Sequence, residues 1–188
     1  MKKRVEVGVI LAGGKSSRMG KDKALLPFRG FKSLSLFQYQ KLQNIFKKVY
    51  ICAKEDKFCF KANLILDDKK IYSPLFAIKQ VLEEINSSVF ILGVDIPLVS
   101  SKTIEKILDS YEQNYEAVVA KTSNLEPLCG IYSPKLLPKI NQMLEKNIHK
   151  LNYLLKSSDT LTVEVNPKEF VNLNYLKDYQ NLIKKEKI

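Results

Sequence analysis

At 188 residues and 45% hydrophobic content, the chain is long enough for one domain with a sizeable core and too short for two ordinary ones. No apolar run approaches the roughly 20 residues that span a bilayer, which argues against a membrane-spanning helix. The net charge of +11 raises nucleic acid as a partner, but the basic residues are mostly lysines spread along the whole chain, which reads as general surface composition plus attraction for small anionic ligands.

No helix-turn-helix, zinc-finger or aromatic-plus-basic strand signature supports a nucleic-acid footprint, so a basic nucleic-acid-binding module stands as the non-enzymatic alternative. The basic start, Met1 to Arg4, is followed only by the short apolar run Val9 to Ala12, too short for a signal-peptide core. Cys52, Cys59 and Cys129 are odd in number and form no closely spaced ligand pair. A reduced cytoplasmic protein without disulfides or structural zinc is the expectation.

Val5 to Leu11 reads as a buried, largely β-branched strand, and a glycine-rich charged loop follows from Ala12 to about Lys23. Leu34, Phe37, Leu42 and Ile45 suit one face of a helix. Val49 to Ala53 and Asn63 to Leu66 read as strands. Leu75, Ile78, Val81, Leu82 and Ile85 share a helical face, with Pro74 placed to start that helix. Val89 to Val94 is a further buried strand ending at Asp95-Ile96-Pro97. Ile104, Ile107, Leu108 and Tyr111 mark a helix capped by Ser100 or Ser101, and Ala117 to Ala120 gives another strand. This alternation predicts a single α/β domain over residues 1–188, three-layered, with a mostly parallel central sheet. Ligands of such sheets sit beyond the carboxyl ends of the strands. The glycine loop and Asp95 both follow strands directly, so they are candidates for one shared site.

The chemistry concentrates in Leu11-Ala12-Gly13-Gly14-Lys15-Ser16-Ser17-Arg18-Met19-Gly20-Lys21-Asp22-Lys23, followed by Ala24-Leu25-Leu26-Pro27. Glycines and serines there let the backbone turn tightly, so that N–H groups converge on phosphate oxygens. Arg18 offers a planar fork to a phosphate and Lys23 a mobile point charge, a pairing suited to a departing pyrophosphate. The spacing is neither that of a P-loop nor that of the dinucleotide fingerprint. Asp95, two residues before a proline, is a hard carboxylate able to hold Mg²⁺ against a triphosphate, although Asp near Pro also starts turns or caps helices. Asp67 and Asp68 follow the third strand. Either one is a residue of a solvated turn or, as a family resemblance implies, a nucleotide contact, with Asp67 preferred.

The complete string resembles the opening signature of the nucleoside-triphosphate transferases, built on a three-layer Rossmann-like sheet. Within them, the Arg-Met-Gly-x-Asp-Lys portion followed by Ala-Leu-Leu is most similar to the molybdenum cofactor guanylyltransferases. The resemblance runs over essentially the whole chain and thins in its middle. It implies transfer of GMP from GTP to the phosphate of molybdopterin with release of pyrophosphate, and Mg²⁺ as the metal. Arg18, Lys23 and Asp95 then carry catalysis, with Asp95 as the metal ligand. The nucleotide is held by Leu11, Ala12, Gly13, Gly14, Ser16, Lys23, Asp67 and Asp95. Cys52 stands where relatives have Asn, so it is either a base-pocket residue or a buried structural thiol. Glu126 to Tyr132 resembles the segment that introduces the acceptor-side third. Phe170-Val171-Asn172-Leu173-Asn174 resembles the closing Phe-x-Asn-x-Asn element, which assigns Asn172 and Asn174 to the acceptor, the alternative being that they pin a turn. His149 and Lys150 lie near a position where relatives face the pterin substrate with basic residues. Ser73 and Ala77, around Pro74, replace two family glycines, and Tyr175-Leu176 replaces the usual Thr-Pro, altering only the start of the last helix. The family also implies transient contact with other proteins of molybdenum cofactor biosynthesis. A nucleotidyltransferase for another phosphate, such as a sugar phosphate, is the neighbouring reading.

Overall fold

The computed structural model describes residues 5–14, 20–67 and 71–186. In chain order the main elements are β1 (Val7–Leu11), α1 (Leu34–Gln43), β2 (Lys48–Ala53), β3 (Asn63–Leu66), α2 (Pro74–Ile85), β4 (Val89–Gly93) and α3 (Ser101–Asp109). Then come β5 (Ala117–Lys121), β6 (Leu125–Tyr132), α4 (Leu137–Glu145), α5 (Leu151–Lys156), β7 (Thr160–Glu164) and α6 (Leu176–Glu186). The strands make one sheet in the order β3-β2-β1-β4-β6-β5-β7. Every pairing is parallel except those of β6, which runs antiparallel to both β4 and β5.

Alternation along the strands divides the apolar side chains between two faces, as a period of two requires. Ile10, Ile51, Phe90 and Leu92 join a core with α1, α3 and α6. Val9, Cys52, Ile65 and Ile91 face the other way, into a core with α2, α4 and α5. Val9, Ile10, Ile51, Phe90 and Ile91 are fully buried, each contributing about 1.5–3 kcal/mol of transfer free energy. No helix among the described residues is long and apolar enough to cross a membrane.

Local chemistry explains the helix starts. The Ser33 hydroxyl accepts from the Leu36 N–H, Ser73 from Leu75 and Ser100 from Thr103, each offsetting an orphan donor of a first turn. Pro74 occupies the first turn of α2, where its missing N–H costs nothing. Of the two caps predicted for α3, Ser100 is the one used. The face of α1 differs from its predicted pattern. Leu34 and Leu42 are buried, but Ser35, Gln38 and Tyr39 complete the stripe; Phe37 is half-buried against Phe28 and Phe31, and Ile45 lies past the helix end.

Chain direction changes at the centre of the sheet. From β1 the chain steps outward through β2 to β3, then returns to the opposite side of β1 as β4. Leu11 therefore pairs with Cys52 on one side and Gly93 on the other, and the Val94 N–H donates to the Leu11 carbonyl at 3.2 Å. Such a switch point leaves a crevice beyond the carboxyl strand ends. The described ends of the glycine loop, Ala12 to Gly14 and Lys23, and Asp95 after β4 open onto the same crevice, as the sequence predicts.

Candidate active site

A cleft of about 320 Å³ occupies that crevice. At its centre Leu11, Ala12, Gly13 and Gly14 line one side, and Lys23 and Asp95 another. The Lys23 ammonium donates to Asp95 Oδ2 at 3.1 Å, with the two side chains only 14% and 16% exposed. Lys23 is presented by a single helical turn, 23–25, whose cap is Asp22: its Oδ1 accepts from the Ala24 N–H at 3.0 Å. The other Asp22 oxygen accepts from the Lys57 ammonium, which also reaches the Ala12 carbonyl at 3.2 Å. One lysine thus ties together the two described ends of the glycine-rich loop. Ser16 and Arg18, which the resemblance places in the site, lie outside the described residues.

Asp95 is set by its surroundings on the strand side. A Cβ on Gly93 would come within 2.7 Å of Asp95 Oδ1 and 3.1 Å of the Leu128 Cβ, so only glycine leaves room for the carboxylate where it stands. No cluster of three His, Cys, Asp or Glu side chains that could cage a metal occurs among the described residues. The Asp95 carboxylate is a hard oxygen donor of the kind that holds Mg²⁺ together with substrate phosphates and water. Asp95 would be the protein ligand, and the ion would neutralise charge on the bound triphosphate.

The far end of the cleft belongs to β2, β3 and the start of α2. Asp67 is 3% exposed and is no solvated-turn residue: its N–H donates to the Ala53 carbonyl, and its Oδ2 accepts from the Lys54 ammonium at 2.7 Å. Asp68 lies outside the described residues. Lys54 also donates to the Ile71 carbonyl and sits over the Tyr72 ring, 5.3 Å from its centroid. Lys54, Asp67, Tyr72 and Ser73 all line the cleft. Cys52 does not. Its thiol is buried beneath the wall, 4.0 Å from the Ala77 carbonyl, and burial pushes its pKa up to about 12. That leaves it an inert packing group.

A second groove, of about 340 Å³, adjoins the first and shares Pro74 and Leu128 with it. His149 and Lys150 stand at its edge, in the turn between α4 and α5. His149 Nε2 is 2.8 Å from Asn147 Oδ1, its ring packs 5.6 Å from that of Phe76, and its Nδ1 is buried without a partner among the described residues. Asn172 and Asn174 are exposed and line neither cavity. Their segment is nevertheless tied to the site, because the buried Leu173 between them donates its N–H to the Asp95 carbonyl at 2.9 Å. The Asn174 and Tyr175 N–H groups are accepted by the Asp178 carboxylate, which replaces a Thr-Pro start for α6.

Lys54, Lys57 and Tyr72 escaped the sequence reading. All three stand on loops after β2 and β3 where no periodicity flags them. The one available signal was the fully charged run directly after β2, Lys54-Glu55-Asp56-Lys57.

With this geometry in place, comparison with known proteins decides the family. Residues 8–161 match the model of the MobA-like NTP transferase domain. The chain belongs to that family. As a MobA-like NTP transferase it is a nucleotidyltransferase. It is 43% identical to the molybdenum cofactor guanylyltransferase of Campylobacter jejuni subsp. doylei, over 92% of each chain. It is 33% identical to that of Helicobacter pylori strain P12, over 92% of this chain and 89% of the relative. Among solved structures, an Aquifex aeolicus protein superposes with a TM-score of 0.78 at 32% identity, covering 92% of this chain and 95% of that one. Molybdopterin-guanine dinucleotide biosynthesis protein A from Archaeoglobus fulgidus gives a TM-score of 0.77 at 18% identity over 95% and 99%, a likeness of fold.

Proposed function

We propose that this MobA-like transferase moves GMP from GTP to the terminal phosphate of molybdopterin, working as one domain with a nucleotide-binding N-terminal half and an acceptor-side C-terminal third. The observation that carries the reading is the meeting of the glycine loop, Lys23 and Asp95 in one cleft beyond the strand ends. An oxygen of the acceptor phosphate attacks the α-phosphorus of GTP; the new P–O bond forms as the bond to the β-phosphate breaks, and pyrophosphate leaves. The acceptor is already anionic, so no side chain has to remove a proton. Catalysis then rests on alignment and charge stabilisation. Lys23, today spent on Asp95, moves to the β- and γ-phosphates, with Arg18 and Ser16 assigned to the same triphosphate. Asp95 would then be the residue to hold Mg²⁺, which would supply charge neutralisation at the phosphates.

Guanine is favoured by the polar pair at the far end. Lys54 and Asp67 line the cleft as a paired donor and carboxylate, the ammonium donating to Asp67 Oδ2 at 2.7 Å, and the pair would open to meet a base. The Watson–Crick edge of guanine offers the complement, the O6 acceptor beside the N1–H and N2–H donors. Cytosine and adenine turn an amino group toward the ammonium instead. The acceptor would lie in the adjoining groove against His149 and Lys150, with Asn172 and Asn174 closing over it. Three free cysteines, one of them exposed, suit a reducing cytoplasm, where transient contact with other proteins of cofactor synthesis would deliver the pterin.

Pyrophosphate release in the presence of molybdopterin and each nucleoside triphosphate tests this reading. GTP should exceed ATP and CTP by about tenfold or more, the worth of one differential polar contact near 1.4 kcal/mol. Transfer to a sugar phosphate from UTP or CTP, with none to molybdopterin, would move the chain to the neighbouring branch of the family.

A further inference from the structure

Helix α1 lies outside the cleft, yet it carries two polar side chains that a core-facing helix does not need. Gln38 is fully buried, and its Oε1 has no hydrogen-bond partner among the described residues. An unsatisfied buried acceptor is costly, and a leucine at that position would avoid the cost. One turn on, Lys41 is also largely withdrawn from water, and burial lowers its pKa to about 8. Both side chains address the same stretch of backbone. Gln38 Nε2 donates to the Gly93 and Ile96 carbonyls at 3.5 and 3.3 Å. Lys41 Nζ donates to the Pro97 and Val99 carbonyls at 3.1 and 2.7 Å. Asp95 sits inside that stretch.

The segment from Gly93 to Ser100 turns away from the sheet, so its carbonyls lose the ladder partners that a continuing strand would give. Buried carbonyls need donors from elsewhere. Four of them are met from α1; of these, the Gly93 and Ile96 carbonyls also accept from the Ile96 and Val99 N–H groups at 3.4 Å, whereas Lys41 supplies Pro97 and Val99. From the other side, the Leu173 N–H reaches the Asp95 carbonyl and Glu169 accepts from the Ser100 N–H at 2.8 Å. Asp95 is therefore held between a helix that supplies donors to its flanks and a closing segment that fixes its own carbonyl.

We propose that Gln38 and Lys41 are positioning residues for the nucleotidyl transfer, a two-residue brace on α1 that fixes the Asp95 segment at the distance from Lys23 and the glycine loop that the reaction needs. Neither touches substrate. Their local cost in stability is offset by function, which is where such breaches of core-packing rules are expected. The proposal rests on Asp95 as the metal-bearing residue of the reading above.

The test uses the full-length enzyme with Gln38→Leu, Lys41→Met and Lys41→Arg. Hydrogen exchange of the peptide covering residues 93–100 is measured alongside turnover, the Mg²⁺ dependence and thermal midpoint. Gln38→Leu should move the midpoint only slightly, because relief of the unmet Oε1 is set against donors lost from the Gly93 and Ile96 carbonyls, while kcat falls by about tenfold to a hundredfold, the scale of an ångström-sized misplacement, with the GTP KM within about twofold. Exchange should accelerate in 93–100 and stay unchanged in β1 and β2. Lys41→Met should behave alike, with a raised Mg²⁺ requirement, and Lys41→Arg should recover most of the loss because it still supplies donors. Wild-type turnover in Gln38→Leu, or faster exchange spread over the whole sheet, would overturn the brace. Failure of the wild-type enzyme to use GTP would instead count against the proposed reaction, and the exchange measurement would still decide the brace.

Discussion

Two parts of the site are held in different ways. At the proposed phosphate end, Asp95 follows directly from β4, whose register aligns Gly93 with Leu11, and Lys23 reaches it from the 23–25 turn; both side chains are mostly shielded from water. In the adjoining groove, His149 and Lys150 stand on a turn between two helices, with Lys150 exposed and no sheet hydrogen bond fixing either one. The first arrangement suits charge stabilisation, which requires groups already in place when the barrier is crossed. The second suits recognition of a larger, variable substrate, where a side chain can adjust at modest cost. Changes at the phosphate end should therefore act on turnover and on GTP use, and changes in the groove on acceptor binding.

The sharpest way to break this contrast is Asp95→Asn. The amide keeps the shape and can still accept from Lys23, so the thermal midpoint should move little. It is a poor Mg²⁺ ligand, and kcat should fall by about a hundredfold to a thousandfold, some 3–4 kcal/mol of barrier, as for other lost electrostatic stabilisers. Steady-state rates across a magnesium series provide the measurement. Near-normal activity at ordinary magnesium would remove Asp95 from the chemistry.

A smaller effect separates the two regions directly. Lys23→Ala should raise the GTP KM by about tenfold or more, since a shielded ammonium on a phosphate contributes upward of 1.4 kcal/mol. Lys150→Ala and Asn172→Ala should instead raise the acceptor KM by a few-fold while leaving that for GTP unchanged, the signature of exposed contacts. If Lys150→Ala weakened GTP and acceptor equally, the division between cleft and groove would be wrong.

How much of this was legible in the sequence follows the same division. The first four strands, α2 and α3 were readable, because β-branched runs, a 3.6-residue apolar stripe and Ser/Pro starts all agree there. The glycine string and Asp95 were readable because each directly follows such a strand. β6 was not: it carries Pro127 and Gly130 within Leu125–Tyr132, both discouraged inside a strand, and its antiparallel place between β4 and β5 depends on pairings remote in sequence. The stripe of α1 was misread for a related reason. Gln38 is polar, and only the loop it serves explains why it is buried rather than Phe37. Lys54 reads in isolation as a surface lysine. Its meaning comes from Asp67, brought beside it by the parallel pairing of β2 with β3.

The finest distinction concerns the support behind the phosphate end and is read through pH. Lys41 has its pKa lowered to about 8 from 10.5, first by burial, then by opposing contributions from Cys129, Arg29 and Glu169. Below pH 8 the side chain is charged in both folded and unfolded chains, and the folded state carries the cost of burying the charge. Between pH 8 and 10.5 the unfolded chain binds more protons at this site than the folded one, so unfolding free energy rises with pH there. The full shift is worth more, but the side chain is partly exposed, and raising pH from 7.5 to 9.5 should yield only about 1 kcal/mol once solvent screening is allowed for. Other groups titrate over the same range, so the quantity to follow is the difference between wild type and Lys41→Met in urea unfolding at each pH. That difference should shift toward the wild type as pH rises. A difference that stayed flat would mean Lys41 is solvated like an ordinary surface lysine, and a shift toward Lys41→Met would mean that its ammonium is stabilised, not penalised, by the carbonyls it meets.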